Sequence, residues 1–248
     1  MSRDAFAEPG GTTLPERGTP VLVLGLGVSG EAAARHLLRL GATVTVVDEA
    51  DDAVLREVAD GLSGARTLLG SDADGAGVAS LVDLVVASPG VPEHAPALAA
   101  ARDAGVPVWS EVELAFRLSR APILGITGTN GKTTTTQMLA AALAAGGIRT
   151  AAAGNIGRPL VDAAVEDHDA IVAELSSFQL RHVVSFATPV GVLLNVADDH
   201  LDWHGTFDAY LAAKARVFER QSEHDSAIHL DDERCARGGG DTRDGRSD

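Results

Sequence analysis

The chain has 248 residues, 45% of them hydrophobic, and its 35 acidic and 20 basic residues give a net charge of −15. That balance opposes nonspecific binding to nucleic acid or to an anionic membrane. Cys235 is the only cysteine, which excludes an intrachain disulfide and suits a reducing compartment. No apolar run approaches the ~20 residues that a membrane helix needs. We therefore expect a cytoplasmic monomer that neither binds nucleic acid nor inserts into a membrane.

The first half of the chain alternates short apolar runs with helix-like segments. Residues 1–19 mix Pro, Gly and both charge signs without an apolar core, so we expect a disordered leader. The strand "VLVLG" (21–25) then leads through Gly25–Gly30 into the helix "EAAARHLLRLG", and further strands follow. Strands separated by helices indicate parallel β-α-β units. Residues 20–118 are thus predicted to form an α/β domain with a Rossmann-like parallel sheet.

The glycines of this first domain allow more than one interpretation. Gly25, Gly27 and Gly30 have the spacing of a dinucleotide-binding loop, and Asp48 follows at the distance of a ribose-binding acid. Glycines in a tight turn between strand and helix can also serve packing alone. An NAD-dependent oxidoreductase therefore stays open as an alternative on these residues.

The second half repeats the α/β pattern and contains a phosphate-binding motif. The segment "GTNGKTT" (128–134) follows the strand "ILGIT" and differs from G-x-x-x-x-G-K-[ST] only in Ile126, which replaces the first glycine. A strand that runs into such a turn directs backbone N–H groups and a helix N-terminus at one point. The predicted ATP-binding residues are Gly128, Thr129, Asn130, Gly131, Lys132, Thr133 and Thr134. A helix cap that binds nothing is the other interpretation.

Acidic and histidine side chains follow two later strands. Glu174 ends the strand "AIVAEL", where an acid can hold the metal of a nucleotide site. The loop "NVADDHLDWH" (195–204) supplies Asp198, Asp199, His200, Asp202 and His204 at another strand end. Each could instead be a solvent-exposed strand end or turn.

Lys214 is one of two lysines among the 20 basic residues, with Lys132 the other. In the helix "TFDAYLAAKARVFER" it shares a face with Phe207, Tyr210, Leu211, Val217 and Phe218. An inward ammonium is costly unless it is paired or chemically altered. One interpretation is a lysine that reaches solvent or pairs with an acid. The other is carbamylation by CO₂, which gives an anion able to help bind Mg²⁺.

Taken together, these motifs resemble the Mur ligase family. "GTNGKTT" is similar to the ATP loop of that family, and "GNIG" (154–157), "ELSSFQL" (174–180) and "LNVADDHLDWHGTFDAYLAAKARVF" (194–218) are similar to blocks of its central domain. "GLGVSG" (25–30) and "ASPGV" (87–91) are similar to its UDP-binding first domain. The resemblance covers about residues 20 to 220, with the motifs in the family's order.

The resemblance implies an activity and its residues. The activity is ATP-dependent joining of D-glutamate to UDP-N-acetylmuramoyl-L-alanine through an acyl phosphate, a step of peptidoglycan precursor synthesis. The implied catalytic residues are Lys132, Lys214 and His200, and the implied Mg²⁺ ligands are Thr133, Glu174, His200 and carbamylated Lys214. The implied substrate contacts are Val28, Ser29, Asp48, Ser88, Pro89, Gly90, Asn155 and Ser176. Glu49 and Ala50 depart from the polar or basic residues that better-known members place near uracil.

The family also has a third domain, which binds D-glutamate. Here the resemblance ends within the second domain, and residues 236–248 lack apolar periodicity, so we expect a disordered tail. Residues 119–235 are accordingly predicted to be an incomplete P-loop α/β ATP-binding domain. We expect no useful D-glutamate ligation by the chain as it stands, which leaves a non-catalytic nucleotide-binding module as an alternative.

Overall fold

A computed structural model describes residues 11–155, 157–199 and 201–229, apart from the side chains of Leu201 and Asp202. His200 and the predicted tail lie outside this part of the chain. The chain divides into two compact units. Of the described residues, the first unit holds 11–120, 159–166 and 182–186, and the second holds the rest of the range 121–229.

The first unit is built on a parallel sheet with the strand order β3-β2-β1-β4-β5. Its consecutive elements are β1 (Pro20–Leu24), α1 (Val28–Leu40), β2 (Thr43–Asp48), α2 (Ala53–Gly61), β3 (Arg66–Leu69), α3 (Gly75–Ala79), β4 (Leu84–Ala87), α4 (Pro96–Asp103), β5 (Val108–Ser110) and α5 (Glu111–Leu118). The predicted Rossmann-like parallel sheet is confirmed.

The turn between β1 and α1 depends on its glycines. Val21, Leu22 and Val23 are fully buried, as expected for a central parallel strand with both faces covered. Gly25 follows β1 with φ 82°, a left-handed conformation that glycine adopts without strain. A Cβ atom on Gly30 would lie 1.8 Å from the carbonyl oxygen of Gly25. The first turn of α1 therefore packs against the loop so closely that no side chain fits.

The second unit has a parallel sheet with the strand order β10-β9-β6-β8-β7. The elements that follow α5 in the chain are β6 (Ile123–Thr127), α6 (Lys132–Ala145), β7 (Thr150–Gly154), α7 (Leu160–Ala164), β8 (Ala170–Glu174), α8 (Ser177–Arg181), β9 (Val190–Leu193), α9 (Leu201–His204), α10 (Phe207–Ala215) and β10 (Ser226–His229). Helix α7 belongs to the first unit. The predicted second α/β domain is confirmed.

The sequence analysis did not predict helix α5, whose eight residues include three charged ones. In the structure all three charged residues are buried. Glu113 and Arg117 form an ion pair at 2.6 Å with both side chains 0% exposed. The Glu113 carboxylate also accepts the backbone N–H groups of residues 184–186. The missed signal is a capping-box spacing, since the Ser110 side chain accepts the N–H of Glu113 at the helix start.

Residues 11–19 lie within the segment that the sequence suggested to be a leader. In the structure Pro15 and Thr19 are buried, and the Thr13 carbonyl accepts a hydrogen bond from Arg117 at 3.0 Å. A buried guanidinium requires several acceptors, and this segment supplies one of them. Among the helices of the described residues, none is both long and apolar enough to cross a membrane.

Candidate functional site

The predicted ATP loop lies at the carboxyl end of β6, the middle strand of the second sheet. β6 ends at Thr127 and α6 begins at Lys132, so four residues make the whole turn. Gly128 and Gly131 have φ angles of 153° and 82°. These glycines let the chain reverse direction and place the N-terminus of α6 at the mouth of the turn, where an anion is favoured.

Asn195, just beyond β9, holds the loop from the neighbouring strand end. Its side-chain amide accepts the N–H of Asn130 at 2.8 Å and donates to the carbonyl of Asn130 at 3.0 Å. Its main-chain carbonyl accepts the N–H of Thr129 at 3.0 Å. The loop conformation is therefore fixed by a residue from another strand. The sequence analysis did not single out Asn195, although it stands in the "LNVADDH" block.

Lys132 turns back onto the loop that precedes it. Its Nζ donates to the carbonyls of Gly128 and Thr129, both at 2.9 Å. The ammonium thus lies over the turn that the sequence predicts for phosphates. It is a point charge on a flexible stem, which suits electrostatic contact with a phosphoryl group.

Glu174, Thr133 and Asn155 come together from three different elements. Glu174 ends β8 with 1% of its surface exposed, and its two carboxylate oxygens accept from Thr133 Oγ1 at 2.9 Å and from Asn155 Nδ2 at 3.0 Å. Gly154 permits this approach, because a Cβ atom there would lie 2.2 Å from the Glu174 carbonyl oxygen. A carboxylate beside a hydroxyl is a hard oxygen donor set of the kind that Mg²⁺ prefers.

The other predicted metal ligands are placed less completely. His200, a predicted catalytic residue and metal ligand, lies outside the described residues. In residues 11–155, 157–199 and 201–229, no three His, Cys, Asp or Glu side chains gather into a cation site. Among the predicted Mg²⁺ ligands that the structure describes, Thr133 and Glu174 lie in contact with each other, and their oxygen donors fit that ion.

Lys214 faces inward, as its position on the apolar helix face predicts. It is 2% exposed, and its Nζ donates to the Gly128 carbonyl at 2.8 Å. Burial and, to a smaller extent, the charge of Lys132 together lower the pKa of this amine to about 7, while the charge of Asp199 acts in the opposite direction. The structure therefore brings both lysines of the chain to the same loop carbonyl.

Ser176 has a structural partner that the sequence analysis did not identify. Its Oγ accepts the N–H of Gln179 at 3.2 Å, and the Gln179 side chain accepts the N–H of Ser176 at 3.0 Å. This reciprocal pair is a capping box at the start of α8, and the spacing S-x-x-Q in "ELSSFQL" is its sequence signature. The predicted substrate contact of Ser176 would have to share a hydroxyl that already caps a helix.

The first unit contains a cavity of about 620 Å³ at the carboxyl ends of β1, β2 and β4. All six residues predicted there to contact substrate line it, namely Val28, Ser29, Asp48, Ser88, Pro89 and Gly90. Among the described residues that line the cavity, none is Lys or Arg, and three are acids, Asp48, Glu49 and Asp74. Among these described residues, an anion bound here would meet backbone N–H groups and a helix terminus and not a cationic side chain.

Asp48 uses both carboxylate oxygens within the protein. One oxygen accepts the N–H of Leu26 in the glycine turn at 2.7 Å, and the other accepts the N–H of Ala50 at 2.9 Å. The Ser88 hydroxyl donates to the Gly25 carbonyl of the same turn at 2.9 Å. Asp48 and Ser88 therefore stabilise the turn through hydrogen bonds. The dinucleotide pattern instead suggests that the Asp48 carboxylate contacts a ribose.

Two family models match this chain. A model described as the Mur ligase middle domain matches residues 126–241, and one described as Mur ligase MurD-like, N-terminal domain matches residues 19–110. The two matched segments contain the loop of the second unit and the cavity of the first.

Curated relatives carry the name UDP-N-acetylmuramoylalanine–D-glutamate ligase. The chain is 51% identical over 214 residues to that of Frankia casuarinae, which covers 84% of this chain and 45% of the relative. It is 50% identical over 210 residues to that of Streptomyces avermitilis, with coverages of 82% and 44%, and 48% identical over 228 residues to that of Mycobacterium tuberculosis, with 88% and 44%. The chain thus spans less than half the length of these relatives.

Solved structures share the fold. A UDP-N-acetylmuramate:L-alanyl-gamma-D-glutamyl-meso-diaminopimelate ligase from Neisseria meningitides matches with a TM-score of 0.57 and 19% identity, covering 89% of this chain and 74% of the other. A murein peptide ligase from Psychrobacter arcticus matches with a TM-score of 0.53 and 18% identity, covering 89% and 51%. At these identities the likeness concerns the architecture of the two sheets.

Proposed function

Because the chain belongs to the Mur ligase family, we propose that it carries the UDP-substrate and ATP sites of a UDP-N-acetylmuramoyl-L-alanine–D-glutamate ligase (EC 6.3.2.9). The reaction serves peptidoglycan precursor synthesis in the cytoplasm. We assign UDP-substrate binding to residues 20–118 and ATP binding to residues 119–235, and we expect the chain to be monomeric.

One observation carries this proposal. Lys132, Thr133, Glu174 and Lys214 converge on the loop at the carboxyl ends of β6 and β8. The Lys132 ammonium, an oxygen donor pair and a buried amine that can become a further metal ligand surround one phosphate-type turn. They match the needs of phosphoryl transfer, in which positioning and charge neutralisation provide most of the rate. A turn that only capped a helix would not require buried charged groups around it.

The chemistry proceeds in two transfers. A carboxylate oxygen of UDP-N-acetylmuramoyl-L-alanine attacks the γ-phosphorus of ATP, the bond to the β–γ bridging oxygen breaks, and ADP leaves. The amine of D-glutamate then attacks the carbonyl carbon of the acyl phosphate, and the carbon–oxygen bond to phosphate breaks. An amide forms, inorganic phosphate leaves, and the amine proton passes to solvent. Lys132 offsets the charge that grows on the phosphoryl oxygens in the first transfer.

One Mg²⁺ would be held by Thr133 and Glu174, and a second by Glu174, His200 and a carbamylated Lys214. When bound, Mg²⁺ supplies neutralisation of the phosphate charge and fixes the direction of the leaving group. Asn155 supports this role, since its amide donates to one Glu174 oxygen and orients the carboxylate.

Three features of Lys214 support carbamylation. Its amine is buried, and a pKa of about 7 leaves a large fraction in the uncharged form that adds to CO₂ at neutral pH. The N–H that remains on a carbamate can still donate to the Gly128 carbonyl. The nearby ammonium of Lys132 would attract the new anion. Carbon-13 NMR of protein equilibrated with labelled bicarbonate should show one carbamate signal that disappears in Lys214→Ala and persists in Lys132→Ala.

Calorimetric titration with Mg·ATP, UDP-N-acetylmuramoyl-L-alanine and NAD tests the proposal. We expect the first two ligands to bind and NAD to bind more weakly than either. A nucleotide-binding module without catalysis would also bind ATP, so a second assay is needed. Borohydride trapping with ATP and the UDP substrate should yield the alcohol derived from the acyl phosphate. ATP binding without any trapped product would favour the non-catalytic module, and tighter binding of NAD would contradict the ligase.

A further inference from the structure

Tyr210 is the only tyrosine of the chain and lies one turn before Lys214 on α10. Its side chain is 1% exposed and packs in an apolar cluster with Leu193, Val196 and Leu211. A phenylalanine would supply the same apolar ring to that cluster. The buried hydroxyl therefore needs a reason of its own, since a buried polar group that lacks a partner is destabilising.

The hydroxyl of Tyr210 contacts the nucleotide loop. It lies 3.1 Å from Thr129 Oγ1, and either oxygen can donate. Thr129 Oγ1 also accepts the N–H of Ala197 at 3.0 Å, while the Thr129 carbonyl accepts from Lys132 Nζ at 2.9 Å. The tyrosine hydroxyl thus helps to fix the residue whose carbonyl anchors Lys132.

The ring of Tyr210 contacts the second lysine of the site. Lys214 Nζ lies 4.5 Å from the ring centroid, so the ring face packs against this nitrogen, which is the same atom in the amine and in the proposed carbamate. The same Nζ donates to the carbonyl of Gly128, the loop residue next to Thr129. One side chain therefore contacts both the loop and the amine that approaches it.

We propose that Tyr210 is a positioning residue of the nucleotide site, in which its hydroxyl fixes Thr129 while its ring fixes the side-chain nitrogen of Lys214. The inference rests on the proposed function, because it takes Gly128–Thr134 to be the ATP loop. Tyr210 acts through Thr129 and Lys214, so its effect on ATP passes through the geometry of these two residues.

A double-mutant cycle separates this role from simple packing. Tyr210→Phe keeps the ring and removes the hydroxyl, and Thr129→Val removes the hydroxyl opposite. We expect Tyr210→Phe to bind Mg·ATP about fivefold more weakly, as the loss of one hydrogen bond implies. Thr129→Val should bind at least as weakly, because it also removes the acceptor of the Ala197 N–H. The double variant should bind Mg·ATP with the same affinity as the single variant that binds it more weakly, because both changes remove the interaction between Tyr210 and Thr129.

The control is Thr150→Val, which removes a buried hydroxyl at the start of β7 that makes no hydrogen bond in the described structure. It should bind Mg·ATP as the wild type does. Tyr210→Phe should lose affinity for Mg·ATP while its melting temperature, measured without ligand, stays within about 2 °C of that of the wild type. Wild-type affinity in Tyr210→Phe, or additive losses in the double variant, would overturn the inference.

The single tyrosine also permits a direct spectroscopic test. Protein labelled with 3-fluorotyrosine has one fluorine resonance, and we expect Mg·ATP to shift it with the dissociation constant found by calorimetry. A resonance that stays in place while calorimetry shows bound ATP overturns the inference and leaves the proposed function intact. Failure of the wild type to bind ATP at all overturns the ATP site itself, and the inference with it.

Discussion

The two units use the same device, a parallel strand followed by a glycine turn and a helix, in two different electrostatic settings. The turn Gly25–Gly30 opens into a cavity with three acids and, among its described lining residues, no Lys or Arg. The turn Gly128–Gly131 has Lys132 and Lys214 on the same loop carbonyl. The backbone geometry alone therefore does not determine what each turn can do.

The difference follows from what each ligand undergoes. A diphosphate that is only held can be satisfied by backbone N–H groups and a helix N-terminus. A phosphoryl group in transfer gains charge on its oxygens, which mobile cationic groups must offset. We infer that the first turn serves recognition and the second serves chemistry. The predictions below test this division, from the largest effect to the smallest.

Alanine substitutions at glycines of the two turns should reduce the free energy of unfolding by different amounts. A Cβ atom on Gly30 would lie 1.8 Å from a backbone oxygen, so Gly30→Ala should destabilise the first unit by about 3 kcal/mol or more. At Gly131 the nearest atom would be 3.7 Å away, and Gly131→Ala should cost about 1 kcal/mol from its left-handed φ alone. Urea denaturation of both variants measures this, and equal losses would contradict the distinction.

Lys132→Ala should separate the two sites by ligand. Removal of the ammonium should weaken Mg·ATP binding by at least ~100-fold, because a charge-assisted contact to the phosphates is lost. Binding of UDP-N-acetylmuramoyl-L-alanine should change less than about twofold, since the first cavity makes no use of this lysine. Calorimetry on one protein sample gives both constants. A parallel loss of both affinities would indicate a shared site or misfolding.

Glu111 gives the first unit a pH dependence of its own. Burial raises the pKa of this carboxyl from 4.5 to about 7, although the N–H of Val161 opposes the rise, and the charge of Asp162 adds to it. His36 pairs with Asp162 at 2.7 Å, and Arg35 lies 3.5 Å from the same carboxylate. The folded protein therefore holds a proton on Glu111 that the unfolded chain has already lost.

The direction of the pH dependence follows from the pKa of Glu111 in the unfolded chain, 4.5, and in the folded protein, about 7. Between pH 4.5 and 7 the folded state binds more protons, so the free energy of unfolding falls as the pH rises. Through this group the wild type should lose about 2.5 kcal/mol between pH 5 and pH 8. Glu111→Gln should remove most of that slope in chemical denaturation curves. An unchanged slope in this variant would show that Glu111 is ionised in the folded protein.

Salt should have the smallest effect and should act on one turn more than the other. Between 50 and 300 mM salt, with Mg²⁺ in excess, Mg·ATP affinity should fall roughly fivefold because screening weakens the contact of the Lys132 ammonium with the phosphates. Affinity for the UDP substrate should fall less than roughly twofold, since none of the described residues lining its cavity is Lys or Arg. Similar slopes for both ligands would mean that the first cavity recruits a basic residue on binding.

The positions of both turns could be predicted from sequence, because a strand–glycine–helix motif is determined locally by turn chemistry. The inward face of Lys214 could also be predicted from helical periodicity. Residues 159–166 and 182–186 could not be assigned to the first unit. Their places depend on carboxylates of α5 that lie 50 or more residues away in the chain.

The hydrogen-bond partners of individual side chains were harder to predict than the positions of helices and strands. Asp48 stands where a ribose-binding acid is expected, but its oxygens serve the N–H groups of Leu26 and Ala50. Tyr210 looked like one more apolar residue on its helix, and its contact with Thr129 joins residues 81 positions apart. Sequence spacing indicates which residues can meet a ligand, whereas competing partners inside the fold decide which atoms stay available.

Competition calorimetry tests the central claim most directly. Wild-type protein saturated with UDP-N-acetylmuramoyl-L-alanine is titrated with Mg·ATP, and the reverse titration follows. Two turns with separate tasks predict that each ligand binds with a stoichiometry of one whether or not the other is present, and that NAD displaces neither. Loss of the ATP signal in protein saturated with the UDP substrate would contradict this account, because it would place both ligands on one turn.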